Sequence, residues 1–187
     1  MTYPFLKGHG TENDFVLLPD HDGTVHGDLD PARVRALCDR RAGIGGDGVL
    51  RVIRTAALES GGIDAGRRQD AEWFMDYRNH DGSLSEMCGN GIRVFARHLV
   101  EEGLADGSAP IPVATRDGVK VLTLGSGLGD DGLVTADMGA PRILGETEVS
   151  VPGHTWPAVH VDVGNPHAVA FVDDLAQAGP LLEAPAN

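Results

Sequence analysis

Long apolar runs are missing from this chain of 187 residues. No stretch approaches the roughly 18 consecutive apolar residues of a membrane-spanning helix. The N-terminus has neither the basic nor the hydrophobic region of a secretory signal. A cytoplasmic protein without membrane partners is therefore expected. Positive charge is scarce too: 15 Lys and Arg against 28 Asp and Glu give a formal net charge of −13. Such a field repels nucleic acid and anionic membrane, and an anionic small molecule would need a local cradle. The basic residues are scattered, apart from short pairs such as Arg40-Arg41 and Arg67-Arg68, and form no nucleic-acid stripe. Cysteine is reduced to Cys38 and Cys88, with no CxxC, and two distant thiols in a cytosolic chain usually stay reduced. The eight histidines form no HExxH and no Cys/His cluster, so no metal is expected. Apolar residues still make up 41%, enough to build one large domain or two small ones.

The pattern of elements is mixed. Tyr3 to Leu6 and Phe15 to Leu18 read as strands flanking a polar loop, Lys7 to Asp14. Asp30-Pro31 starts a helix, with Asp30 as cap and Pro31 in the first turn, running to about Arg41. Val34, Leu37 and Cys38 share one face of it, which makes Cys38 a structural residue. Gly43 to Gly48 lacks the lysine and Ser/Thr of a phosphate loop and follows a helix instead of a strand. It reads as a tight turn into a strand over Val49 to Ile53, so no nucleotide is expected. Residues 59–70 read as an exposed loop, and Trp73 to Tyr77 as a strand. Ile111 to Thr115, Val119 to Leu124, Leu133 to Met138, Trp156 to Val163 and Ala168 to Val172 read as further strands. The helix-bearing half ends near Asp117-Gly118, which divides the chain into domains 1–117 and 118–187. The second half is too short to close its own core, and residues 179–187 show no terminal element.

Cys88 carries the chemistry. It stands in Met87-Cys88-Gly89-Asn90-Gly91, just ahead of the amphipathic run Ile92 to Val100, which ends near Gly103, a natural C-cap. A helix start offers unpaired N–H groups and the positive end of a dipole, and such surroundings favour thiolate over thiol. Glycines at 89 and 91 leave room for a ligand carboxylate to reach the same N–H groups. The competing reading is a small, inert, buried cysteine, but Cys88 precedes the apolar stripe instead of lying on it. Asn13, Asn79, Asn90 and Asn165 each stand in a glycine or proline turn, where asparagine is at home. Four such amides around one cleft would also suit an amino-acid ligand, since they hold its charged groups without adding charge. His167 either assists a thiol or caps a turn, and His9 is open in the same way.

Four motifs occur in order: Lys7-Gly8-His9-Gly10-Thr11-Glu12-Asn13-Asp14-Phe15, Asn79-His80-Asp81-Gly82-Ser83, Glu86-Met87-Cys88-Gly89-Asn90-Gly91-Ile92-Arg93 and Gly164-Asn165-Pro166-His167. In these the chain resembles the diaminopimelate epimerase family, particularly its actinobacterial members. The resemblance implies an isomerase using no pyridoxal phosphate, metal or nucleotide. It would interconvert LL- and meso-diaminopimelate, on the route to lysine and peptidoglycan, with two cysteines on opposite faces of the α-carbon as base and acid. It implies an α/β (α+β) fold of two similar domains, each a curved mixed sheet wrapped around a central helix, with the site in the cleft. On that reading Cys88 is the first thiol. Asn13, Asn79 and Asn165 hold substrate, Gly89 and Asn90 offer N–H groups to the α-carboxylate, and His167 lies near the thiols. The partner is the small amino-acid substrate; a homodimer is compatible with the sequence, which leaves the oligomeric state open.

Two departures qualify the match. Where many family members carry glutamine after the aspartate of the Gly45 to Gly48 turn, this chain has Gly48. The family pattern also continues past residue 187 with a Glu-Arg pair and a second Cys-Gly-x-Gly motif. The expectation is therefore a chain lacking the C-terminal third and weak or inactive alone, in which Cys38 cannot replace the second thiol. Asn187 would match a further substrate-contacting asparagine. The rivals are a related cofactor-independent racemase or isomerase, of the proline racemase or phenazine-pathway group, and a non-catalytic amino-acid-binding half that pairs with another chain.

Overall fold

The computed structural model describes residues 3–58, 71–125 and 133–178. The expected loop at 59–70 and the tail at 179–187, with Asn187, lie outside the described residues. Two compact units follow one another, Met1–Met138 and Gly139–Asn187.

The first unit is a seven-stranded sheet whose strands lie in sequence order: β1 (Leu6–Gly10), β2 (Asn13–Pro19), β3 (Gly48–Arg54), β4 (Trp73–Asn79), β5 (Ile111–Thr115), β6 (Gly118–Leu124) and β7 (Val134–Asp137). Two pairs, β2 with β3 and β4 with β5, are parallel; the other four are antiparallel. Helix α1 (Pro31–Cys38) follows β2, and helix α2 (Gly89–Glu101) follows β4. The sheet curls around α2, which touches both edge strands, β1 and β7, as well as β2, β3, β4 and β6.

α2 earns that central place through its sequence. Ile92, Phe95, Ala96 and Leu99, at i, i+3, i+4 and i+7, are buried against Phe15, Leu17, Leu50, Val52, Trp73 and Met75. Each of the larger side chains contributes about 1.5–3 kcal/mol by leaving water. Beyond the last turn, Gly103 takes φ 68°, and the Leu104 N–H reaches back to the Leu99 carbonyl at 2.7 Å. The middle of β2 and the start of β3 are apolar on both faces, because α2 covers one and α1 the other. Val16, Leu18 and Val49 pack outward against Val34 and Cys38 of α1. Asp30 caps α1 by accepting from the Ala32 N–H at 2.6 Å.

A charged cluster is buried on the outer face. Arg51 pairs with Asp20 at 2.7 Å and lies 3.7 Å from Asp76, which also receives Arg78 at 3.0 Å and Arg116. Burial pushes the Asp76 carboxyl up, but Arg116 and Arg78 outweigh it and hold the group below its ordinary range. Arg116 also donates to the Tyr77 carbonyl at 3.0 Å. The end of β4 is thereby tied to the loop after β5.

The second unit is a three-stranded antiparallel sheet in the order β10 (Pro166–Val169), β9 (His154–Asp162), β8 (Arg142–Val151). Its core is small: Val149, Val151, Trp156 and Ala158, with Ala170 and Val172 against them.

The structure departs from the sequence reading in several places. The expected loop from Lys7 to Asp14 is instead a hairpin, with β1 shifted to Leu6–Gly10 and only Thr11-Glu12 as its turn. α1 stops at Cys38, because Asp39 leaves helical geometry (ψ 121°) and turns its carboxylate onto the Arg41 and Ala42 N–H groups. β8 has no counterpart among the expected strands. Asp117-Gly118, where the domain change is expected, lies in the turn between β5 and β6, inside the seven-stranded sheet.

Candidate active site

Cys88 is the N-cap of α2. Its backbone is extended (φ −141°, ψ 113°) and its Sγ accepts from the Gly91 N–H at 3.3 Å. The sulfur thus takes the place usually held by a Ser, Thr or Asp oxygen. It satisfies one first-turn donor and leaves those of Gly89 and Asn90 ahead of the helical ladder. Cys88 is half-buried and free. Its thiol faces Asn13, whose Oδ1 lies 3.9 Å from the sulfur.

Asn13 is delivered by the β1–β2 hairpin. Thr11 and Glu12 both have positive φ, 58° and 66°, which gives the two-residue turn the twist of the strands it joins. Positive φ is costly for a β-branched threonine. Two contacts hold it there: Arg93 Nη2 donates to Thr11 Oγ1 at 2.8 Å, and His9 Nδ1 accepts from the Glu12 N–H at 3.4 Å. His9 therefore supports the turn. The hairpin lies close to α2, because a side chain on Gly10 would meet the Asn90 carbonyl at 2.8 Å and one on Gly8 would meet Val94 at 2.8 Å.

Asn90 donates from Nδ2 to Asn13 Oδ1 at 3.3 Å, and its own Oδ1 accepts from Arg93. Arg93 also donates to the Gly89 carbonyl at 3.3 Å. A guanidinium is thus folded over the helix start, the local cation that the acidic chain needs there. On the other side Asp47 accepts from Asn13 Nδ2 at 2.8 Å and from Arg40 at 2.8 Å. Arg40 also grips Asp14, at 2.6 and 3.0 Å, and Lys7 pairs with Asp14 at 2.7 Å. Hydrogen bonds from Arg40 and Lys7 hold the Asp14 carboxyl well below the usual carboxylate range.

Asn79 closes β4. Its Oδ1 accepts from the Tyr77 hydroxyl at 2.8 Å, and its Nδ2 donates to Ser83 Oγ at 2.9 Å. Burial first, and then the negative charge of a Cys88 thiolate, pushes the Tyr77 phenol up. Asn79 is thereby linked to Cys88 through the phenol. Tyr77 lies against Gly48, where an added Cβ would stand 2.6 Å from the ring and 2.6 Å from the Arg78 carbonyl. Gly48 is required by that ring.

Asn13, Asn79, Gly89 and Asn90 thus gather around Cys88 in the first unit. Asn165 and His167 belong to the second, where His167 Nε2 and Asn165 Oδ1 are 3.0 Å apart and both residues are accessible. Cys38 packs with Val16, Leu18 and Val34, and burial pushes its thiol up. Four participants escaped the sequence reading: Asp47, Arg40, Tyr77 and Arg93. Asp47 has no role of its own in the glycine-rich turn as read from sequence, and nothing in local spacing joins it to Asn13.

A cavity of about 330 Å³ lies elsewhere, between β1, α2 and β7, lined by Leu6, Leu17, Arg97, His98, Leu133 and Val134 among others. Neither Cys88 nor Asn13 lines it, so the hydrogen-bonded thiol and its amides form a candidate site apart from this cavity. Among the described residues no group of three or more His, Cys, Asp or Glu could hold a metal ion, and no helix is long and apolar enough to cross a membrane.

The solved structures similar in fold include a hydroxyproline epimerase from Agrobacterium vitis, with TM-score 0.62 and 16% identity, covering 94% of this chain and 52% of that one. A phenazine biosynthesis protein of the PhzF family from Bacillus anthracis gives 0.57 and 18%, covering 94% and 57%. At that identity they show the fold, a mixed α+β architecture with a curved sheet around a central helix. Sequence relatives are far nearer. Diaminopimelate epimerase of Streptomyces coelicolor is 54% identical over 186 residues, 98% of this chain and 60% of that protein. That of Thermobifida fusca is 53% identical, covering 96% and 65%, and that of Corynebacterium glutamicum 44%, covering 94% and 61%. The chain thus spans 60 to 65% of the length of these curated relatives. With the family model for diaminopimelate epimerase matching residues 5–144, across the hairpin, Asn13, Asn79, Asn90 and the capping thiol, this chain belongs to the diaminopimelate epimerase family.

Proposed function

We propose that this chain carries the first-thiol half of a cofactor-independent epimerase that inverts one α-carbon of 2,6-diaminopimelate, converting the LL to the meso form. The observation that supports it most is the N-cap thiol of Cys88, set beside the first-turn N–H groups of Gly89 and Asn90 and the amide of Asn13. As base, Cys88 takes the α-proton and becomes a neutral thiol, while the electron pair is left on the α-carbon and delocalised into the carboxylate. The helix start and Arg93 stabilise the negative charge that develops there. Asn13, Asn79 and Asn165 hold the ammonium and carboxylate groups of the substrate without adding charge, and His167 assists near the thiols. The acid–base work is done by thiols, so the reading calls for no metal or organic cofactor. It places the reaction in the cytoplasm and leaves a homodimer open.

Inversion needs a proton donor on the opposite face. Within the 187 residues the other cysteine is Cys38, buried at the end of α1 with Val16 and Leu18, so a second thiol must be supplied from elsewhere. The chain alone is then limited to same-face exchange. Incubation with LL- and meso-diaminopimelate in D₂O, beside a Cys88→Ala control, tests this. Slow deuterium uptake that requires Cys88 and retains configuration is the expected result. Uptake that persists in Cys88→Ala, or no uptake at all, would overturn the role of Cys88. Cys88-dependent inversion by this chain would overturn the need for an outside donor.

A further inference from the structure

An asparagine amide has nearly the same shape either way round, so its partners decide which end faces the site. At Asn13 that decision falls to Asp47. Its carboxylate can only accept, and it takes the Asn13 Nδ2 at 2.8 Å. The Asn13 oxygen is therefore turned toward Cys88 Sγ (3.9 Å) and Asn90 Nδ2 (3.3 Å). A second constraint acts from the far end. Arg93 can only donate, and it holds Asn90 Oδ1, so Asn90 must offer its NH₂ to Asn13. Guanidinium, amide, amide, carboxylate and guanidinium form one row from Arg93 through Asn90, Asn13 and Asp47 to Arg40, with every donor directed toward Asp47 and Arg40 meeting it from the far side.

Asp47 is itself firmly placed. It accepts from the Asp14 N–H at 3.2 Å as well as from Arg40, and its main chain bridges Asp14 and His80, with its N–H on the Asp14 carbonyl at 2.8 Å and its carbonyl on the His80 N–H at 3.1 Å. We infer that Asp47 is the positioning residue of this site: it makes Asn13 an acceptor toward Cys88, so that the amide oxygen, and not the NH₂, faces the sulfur in the empty site. A ligand ammonium competing for the same oxygen would release the thiol from that acceptor on binding. This rests on the reading of Cys88 as the acid–base thiol and adds to it a residue that touches neither substrate nor sulfur.

The test is the rate at which iodoacetamide alkylates Cys88 in the 187-residue chain at pH 7.5, followed by intact mass with Cys88→Ala as background. Asp47→Asn removes the carboxylate constraint on the Asn13 amide, leaving only Asn90 to oppose a turn of its NH₂ toward sulfur, and should speed alkylation about threefold or more. Asp14→Asn removes the same charge from the same ion-pair cluster without touching the amide, and should change the rate less. The exchange Asn13→Asp with Asp47→Asn keeps the bond and the net charge but puts the carboxylate beside sulfur. It should hold the denaturation midpoint near the parent value and slow alkylation below it. Equal effects of Asp47→Asn and Asp14→Asn would reduce Asp47 to a surface charge. A wild-type rate in the exchanged pair would make its role structural only. Either result, in a chain that still shows Cys88-dependent deuterium uptake, overturns this inference and leaves the proposed function standing. If Asp47→Asn fails to fold, the exchanged pair decides alone.

Discussion

The two units solve the same problem unequally. In the first, a sheet of seven strands closes around a helix, and Phe15, Phe74, Phe95, Leu50, Ile92 and Leu99 are fully buried. In the second, three strands gather a core of four buried residues, while Ile143 is 75% and Phe171 87% exposed. Among the described residues, the difference is the helix. A curved sheet needs an apolar body along its inner face before burial can offset chain entropy, and α2 is that body for the first unit. The polar residues follow suit. Asn13 and Asn79 have partners on both ends of their amides, whereas Asn165 and His167 hold one another in an accessible hairpin.

The contrast is broken most severely at Phe95. Phe95→Ala empties the centre of α2 and should lower the unfolding free energy of the first unit by about 3–5 kcal/mol, read from urea denaturation followed by Trp73 fluorescence. A loss under about 1 kcal/mol would mean that the sheet does not depend on its helix.

A smaller effect comes from pH. Burial pushes the His98 imidazole below its ordinary 6.5, against the opposing pull of Glu102 and Glu101. His98 therefore binds its proton more readily unfolded than folded. Its contribution to stability is complete above about pH 6.5 and is lost as pH falls from there through its folded value. Stability of the first unit should fall between pH 7 and pH 5, and His98→Leu should flatten that slope. An unchanged slope in the variant would remove His98 as the cause. Below about pH 4 protonation of Asp76 and Asp14 adds to the loss, since both carboxyls are held below their ordinary range in the fold.

The smallest effect sharpens the comparison from the other side. Phe171→Ser should change stability by no more than about 0.5 kcal/mol, because the ring is already in water. It should also reduce binding of a hydrophobic dye. A large destabilisation would show that Phe171 is covered in solution.

Much of this architecture can be read along the chain, and the reasons are local. α2 announces itself by an apolar stripe of period 3.6 after a glycine-rich start, and β2, β3 and β4 by compact β-branched and aromatic runs. The β1–β2 hairpin hides because Thr11-Glu12 carries none of the usual turn residues; its positive φ is supported partly by Arg93, 82 residues away from Thr11. β8 hides because Arg142 to Val151 is mostly exposed, interrupted by Gly145 where the register slips. At the site, Cys88 and the asparagines are legible as types in turns and by resemblance. Their orientation is not, because it depends on Arg40 and Asp47 arriving from the turn segment between α1 and β3.

One consequence concerns inhibitor discovery. On the proposed function, Cys88 Sγ is the reacting atom as well as the cap of the helix on which the first unit is wound. A warhead that alkylates it removes a cap worth about 1 kcal/mol, on the scale of other N-caps. Weak covalent hits would then lower the melting temperature, opposite in sign to ordinary ligands. A thermal-shift screen that keeps only stabilisers would discard them, while intact mass would find them.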